Sequence, residues 1–304
     1  MISSLTIATR ESPLALWQAN WVKDRLMAHH PRLRINLLGL TTSGDTASDV
    51  MMKTGGKGLF VKELEEALLD KRADIAVHSM KDVPMILPPE FDLTVICERD
   101  DPRDAFVSNH YRSLDELPLH ARIGTASVRR QSQLLALRPD LHMETLRGNV
   151  NTRLSRLDRQ DFDAIILAAA GLKRLTLESR IQSFLDVEQS LPAPGQGALG
   201  IECRKNDPAI LQWIQCLHHE TTSVCVAAER AMCEHLNGGC HTPIAAFAAI
   251  NNNQIMLKGR VLSLDGKQVL LSEKTASLDQ ATAVGICVAE DLLRQGARAI
   301  LDAI

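Results

Sequence analysis

Short apolar runs alternate with amphipathic helical patterns along the first two-thirds of the sequence, and that rhythm restricts the fold more than any other feature. Strand-like runs occupy residues 5–9, 34–41, 74–78, 93–97, 122–125, 142–146 and 163–167. Several are continuously apolar, the pattern of strands covered on both faces. Between the first two, residues 12–29 place Leu14, Trp17, Trp21, Val22 and Leu26 on one helical stripe, and Ser12–Pro13 supplies a cap and a first-turn proline. The alternation predicts an α/β chain with doubly wound, mostly parallel sheets. From about residue 220 the rhythm changes. A helix pattern through Val224, Ala228, Met232 and Leu236 ends at Asn237–Gly238–Gly239, followed by strand-like runs at 244–250, 254–262 and 268–274 and two closing helices. Asp265–Gly266 marks a hairpin turn. This last part reads as a small α+β domain. Residues 100–103 and 191–195 are the expected linkers, because each is punctuated by proline.

At 304 residues the chain is long enough for two or three domains. Its 45% hydrophobic and 23% charged content excludes global disorder. A net charge of −3 and a single tyrosine argue against a nucleic-acid partner, which needs a positive field and stacking platforms. No run of about 18 apolar residues is present, so no membrane span is expected. The first ten residues lack the apolar core and cleavage site of a secretory signal. Seven cysteines without regular close spacing point to free thiols in a reducing cytoplasm.

Charge is unevenly placed. Residues 122–180 hold eleven Arg or Lys against six Asp or Glu on a chain that is acidic overall. After the strand ending at Gly124, Ser127 occupies an N-cap position, and Arg129 and Arg130 fall in the first helical turn. At the next junction Arg147–Gly148–Asn149 ends a strand, Asn149 caps, and Arg153 follows. Arginine opposes the positive end of the helix dipole by a few tenths to about 1 kcal/mol. Two such junctions in succession predict an anion that reverses the sign of the interaction. Arg10, Ser12, Lys81 and Asp82 also follow strand ends, where ligands of open α/β sheets bind. A set of solvated rim charges is the alternative.

Other motifs carry less. Gly195 to Gly200 fits G-x-G-x-x-G by letter, but prolines precede it and a strand-like run follows, so a flexible return between domains is the preferred reading. Residues 53–58 lack the Ser or Thr of a phosphate loop; Lys53 and Lys57 suit a lid, or an inert loop. Cys233, His235, Cys240 and His241 have the wrong spacing for zinc, and no metal is expected. His78, His218 and His219 lack a serine or cysteine partner and read as structural. Asp82 is a candidate general acid/base or cation stabiliser; a salt bridge to Lys81 or a nearby arginine fits its spacing as well. Cys240 follows two glycines on a tight turn.

These stretches together resemble the porphobilinogen deaminase (hydroxymethylbilane synthase) family nearly end to end. The resemblance rests on residues 7–15 (IATRESPLA), 56–60 (GKGLF), 77–84 (VHSMKDVP), 124–130 (GTASVRR), 146–149 (LRGN), 195–198 (GQGA) and 238–240 (GGC). It implies a monomeric cytoplasmic enzyme with two periplasmic-binding-protein-like α/β domains, residues 1–98 with 198–217 and residues 103–193. A small third domain, 218–304, carries the cofactor-attachment cysteine. It implies a dipyrromethane cofactor, assembled from substrate and thioether-linked to Cys240, and condensation of four porphobilinogen molecules with loss of ammonia. The linear tetrapyrrole is then released hydrolytically. Asp82 matches the catalytic aspartate. Ser79, Lys81, Thr125, Ser127, Arg129, Arg130, Arg147 and Gly148 match cofactor-binding positions. Arg10, Ser12, Arg147, Arg153 and Gln196 match substrate-binding ones, and Lys53, Lys57 and Phe60 match a lid. Ala126 stands where relatives often have serine, removing a hydroxyl; Ser43 replaces a basic residue found in some relatives; and Pro194 sits where many have valine, stiffening the return.

Overall fold

A computed structural model describes residues 4–43, 61–239 and 241–304. Lys53, Lys57 and Phe60, expected to form a lid, and Cys240, expected to attach the cofactor, lie outside the described residues. The chain divides into two compact units: residues 1–99 with 198–223, and residues 100–197 with 224–304. The second unit contains both the arginine-rich α/β segment and the C-terminal α+β segment.

The first unit is built on β1 (Ser4–Arg10), α1 (Pro13–His29), β2 (Arg34–Leu40), α2 (Lys62–Leu69), β3 (Ile75–Ser79) and β4 (Phe91–Ile96). The second begins with β5 (Asp104–Val107), β6 (Arg122–Gly124), α3 (Val128–Leu137), β7 (His142–Glu144), α4 (Val150–Asp158), β8 (Ala164–Ala168), α5 (Ala169–Arg174) and β9 (Ser183–Leu185). The chain then returns through β10 (Leu199–Arg204) and α6 (Pro208–Ile214), and α7 (Glu220–His235) leads into β11 (Ile244–Asn251), β12 (Gln254–Leu262), β13 (Val269–Ser277), α8 (Ala281–Arg294) and α9 (Ala297–Leu301).

The two five-stranded sheets share one plan. Their orders are β2-β1-β3-β10-β4 and β7-β6-β8-β5-β9. In each, β1/β2/β3 or β6/β7/β8 pair in parallel, and the fourth strand, β10 or β5, runs antiparallel to both neighbours. Those reversed strands are the ones with which the chain enters each unit after leaving the other. The sheets are therefore mixed, with one reversed strand each. Both faces are covered, as the apolar runs require. In the first sheet Leu5, Ile7, Ile75 and Ile201 pack with Val22 and Leu26 of α1 on one side, while Ala8, Ala76 and Phe91 pack with Leu64 and Leu68 of α2 on the other. The second sheet has the same two-sided core. The third sheet is an antiparallel meander, β11-β12-β13. No helix among the described residues is long and apolar enough to cross a membrane.

The return segment differs from its reading as a flexible connection. Leu191, Gln196 and Ala198 are buried, and its backbone is bonded within the second unit by Ala246 N to Pro192 O, 3.0 Å, and by Arg174 Nη2 to Gly197 O, 2.6 Å. Buried peptide groups must find partners, and these partners remove the slack.

Candidate ligand-binding strand ends

In the first unit the candidate residues follow β1 and β3. Ser12 caps α1 by accepting from Ala15 N at 3.4 Å, which turns the chain sharply after Arg10. Beyond β3 the chain makes one 3-10 turn, Met80–Asp82. Met80 and Val83 are buried and Met80 N donates to Ala198 O at 3.0 Å, so the turn is pegged on both sides of Lys81–Asp82. Gly200 makes this possible, since a Cβ there would collide with the Met80 sulfur. Ser79 Oγ accepts from Gln18 Nε2 at 2.7 Å, and Gln18 is buried on α1.

Asp82 is exposed, and its carboxylate has no ion pair or hydrogen bond among the described residues. The salt bridge that its spacing allowed is not formed. The turn holds the Asp82 backbone rigidly and leaves both carboxylate oxygens available. Lys81, beside it, is half-buried. Beneath, His78 Nε2 lies 2.8 Å from Glu202 Oε2, both buried. Burial first, and the Glu202 charge second, push the nearby Glu65 carboxyl up to about 7, with His78 opposing.

The two arginine-bearing junctions of the second unit are not alike. Asn149 caps α4 as expected, accepting from Thr152 N at 2.9 Å. Gly148 adopts φ +103°, a left-handed conformation that a side chain would strain, and a Cβ there would crowd Thr152. Arg153 folds back so that Nε donates to Gly148 O at 2.7 Å, which holds its guanidinium at the helix entrance. Arg147 and Arg153 are half-buried, and the first turn of α4 contains no acid. This junction concentrates positive potential at the α4 entrance.

The other junction already has an anion of its own within the unit, which its sequence did not reveal, although one carboxylate leaves one of the two arginine charges unbalanced. Asp104, fully buried on β5, accepts from Arg129 Nη2 at 2.9 Å and from Arg130 Nε and Nη2 at 2.9 and 2.7 Å. Arg129 Nη1 also donates to Leu191 O at 2.6 Å, and Arg130 Nη1 to Ile166 O at 3.1 Å. Burial opposes the Asp104 charge, but the two guanidiniums outweigh it and hold its carboxyl well below the usual carboxylate range. Ser127 occupies the N-cap position without a side-chain cap bond; its N–H donates to Thr125 Oγ1 at 3.2 Å. Gln196 belongs to the same hub. Its Nε2 donates to Asp104 Oδ1 at 3.0 Å and Pro102 O at 2.6 Å, while its buried Oε1 has no hydrogen-bond partner among the described residues.

Gln18 and Asp104 were not singled out from the sequence. An acid opening an apolar run, Asp104–Ala105–Phe106–Val107, was the available signal for the second; Gln18, one polar residue inside a helical face, gave none. Among the described residues no group of three His, Cys, Asp or Glu side chains could hold a metal ion.

Two family models match the chain: porphobilinogen deaminase, dipyromethane cofactor binding domain, over residues 5–212, and porphobilinogen deaminase, C-terminal domain, over residues 223–294. Among solved structures, a putative methionine-binding lipoprotein from Bacillus subtilis is 14% identical, covering 72% of this chain and 92% of its own at a TM-score of 0.45. The periplasmic aliphatic sulphonate binding protein SsuA from Escherichia coli is 11% identical, covering 78% and 71% at 0.43. The α/β class rests on the sheet topologies above rather than on likenesses of this depth.

Proposed function

Because the chain belongs to the porphobilinogen deaminase family, we propose that it condenses four porphobilinogen molecules head to tail with release of ammonia. It then releases the linear tetrapyrrole hydroxymethylbilane by hydrolysis, the hydroxymethylbilane synthase reaction of porphyrin biosynthesis. The proposal includes a dipyrromethane cofactor held by a thioether to Cys240, and a monomer acting in the cytoplasm. The observation that carries it is the exposed Asp82 carboxylate, unpaired among the described residues, on a pegged turn that also carries Lys81.

The donor set suits such a cofactor. A dipyrromethane offers ring N–H groups and several carboxylates. Arg10, Lys81, Arg147 and Arg153 with Ser12, Ser79, Thr125 and Ser127 supply cations and hydroxyls for the carboxylates, and Asp82 supplies an acceptor for N–H. When bound, the cofactor supplies the nucleophilic pyrrole carbon on which the chain begins. Asp82 accepts a hydrogen bond from a substrate pyrrole N–H and stabilises the positive charge that develops as ammonia departs. Arg147 and Arg153 bind acetate and propionate groups by charge-assisted hydrogen bonds at the α4 entrance. Arg129 and Arg130 already donate to Asp104, so any carboxylate they take is shared with that hub.

Intact mass spectrometry of the untreated protein tests the cofactor: the expected mass exceeds the sequence by two linked pyrroles, and Cys240→Ala returns it to the bare chain. Asp82→Asn should leave thermal stability unchanged, because its carboxylate bonds to none of the described residues, and nearly abolish porphobilinogen turnover. Substantial turnover in Asp82→Asn removes that residue from its role.

A further inference from the structure

The second unit contains a second buried carboxylate, Glu229 on α7, which the chemistry above does not use. It is fully buried. Its Oε2 accepts from Gly195 N at 2.7 Å and its Oε1 from Ala248 N at 2.8 Å. Gly195 belongs to the return segment and Ala248 to β11, so one side chain joins three pieces of backbone. Burying a carboxylate is costly unless its oxygens are well bonded. An amide of the same length offers a single acceptor oxygen and would turn its NH2 against the second N–H. A carboxylate is the group that satisfies both.

What Glu229 joins is specific. Next to Gly195, Gln196 donates to Asp104, which holds Arg129 and Arg130 at the α3 entrance. In the other direction α7 continues from Glu229 to His235, with Met232, Cys233 and Leu236 buried, and Gly238 N donates to Cys233 O at 2.8 Å. Gly239 is tied in turn to Thr242, whose Oγ1 accepts from Gly239 N at 3.0 Å and donates to Gly239 O at 2.8 Å. Hydrogen bonds, joined by short stretches of backbone, therefore link the arginine-bearing hub, through Glu229 and α7, to Gly239 and Thr242 on either side of position 240.

We propose that Glu229 is a positioning residue that registers the helix leading to Cys240 against the ligand-holding turns of the same unit. The proposal rests on the deaminase reading, in which Cys240 is the tether of the growing chain. A tether out of register would still bind substrate but would present the chain end poorly at successive additions.

The test uses the full-length holoprotein and its Glu229→Gln variant. Glu229→Gln should still carry the two-pyrrole adduct, with kcat for porphobilinogen reduced at least about tenfold and KM within about twofold. Under limiting substrate, intact mass spectra should show its partly extended adducts accumulating relative to the parent. A variant with a lower melting temperature but parental kcat and adduct distribution would make Glu229 merely structural and overturn the proposal. If the variant does not fold, amide hydrogen exchange in the parent decides: Gly195 and Ala248 should exchange together, at least about a hundredfold more slowly than a free peptide, and a tenfold difference between them would overturn it. Absence of both adduct and turnover in the parent would sink the deaminase reading, a result distinct from either exchange outcome.

Discussion

Replacing Asp104 by asparagine is the sharpest test of the buried hub. The substitution keeps the shape of the side chain, removes its charge and turns an NH2 group toward guanidinium donors. Asp104 accepts from Arg129, Arg130, Ser190 Oγ at 2.8 Å and Gln196. Taken singly, charge-assisted bonds contribute about 1.5–3 kcal/mol each. Their sum over this hub would rival the roughly 5–15 kcal/mol stability of a whole domain, so they cannot be additive. The better guide is the loss of one partner from a buried ion pair, about 3–5 kcal/mol, because two guanidiniums are left desolvated without a counterion. A unit of this size loses about 2–4 °C per kcal/mol, which gives a fall of roughly 6–20 °C in the melting temperature of the transition reporting the second unit. Differential scanning calorimetry at pH 7 measures it. Combining Asp104→Asn with Arg129→Met should cost less than the sum of the two singles, by about 1–3 kcal/mol, since the second change removes a stranded charge. The pH dependence has a definite sign. The folded carboxyl is held below its ordinary range, so its contribution is complete above an unfolded value of about 3.9 and lost as pH falls through the folded one. The gap between parent and Asp104→Asn should therefore close in acid. A fall of less than about 2 °C at pH 7, or strict additivity in the double variant, would refute the hub as the anion that answers these arginines.

Two further predictions separate ligand binding from stability. Arg147→Leu and Arg153→Leu alter half-buried side chains, so their melting temperatures should stay close to the parent's. Each removes charge-assisted bonds contributing about 1.5–3 kcal/mol, equivalent to roughly ten- to 150-fold in affinity for a polycarboxylate pyrrole. Adduct mass spectra under limiting porphobilinogen should show extension stalling, and normal extension in both variants would clear those residues. Glu65→Gln probes the other unit. With its carboxyl raised to about 7, chiefly by burial and then by the Glu202 and Glu90 charges against His78, folded Glu65 keeps a proton that the unfolded chain has lost. Stability therefore falls as pH rises from about 4.5 to about 7. Above pH 7, Glu65→Gln should be more stable than the parent by about 1–2 kcal/mol, discounted for solvent screening of a half-exposed group. Equal urea midpoints for both proteins at pH 5 and pH 8 would contradict this.

Local patterns in the sequence determined the class of the fold. The βα rhythm, the Ser12 and Asn149 caps and the final hairpin are properties of neighbouring residues, and periodicity of burial records them directly. The strand-end residues Lys81 and Asp82, and Arg147 with Gly148 and Arg153, were legible for the same reason, since a strand end and the cap after it lie within a few positions. What the sequence left undecided is non-local. Strands β5 and β10 look like any short apolar run, and their reversal within each sheet follows from where the chain enters a unit. The Arg129–Arg130 pair reads as facing only an outside anion, yet Asp104, some 25 residues earlier, lies within reach of both. Likewise Gly195 and Gln196 read as slack chain, yet Glu229 and Asp104 hold them. Buried polar groups must be paired, but the partner is chosen by packing, and only the tertiary structure decides which charge lies within reach.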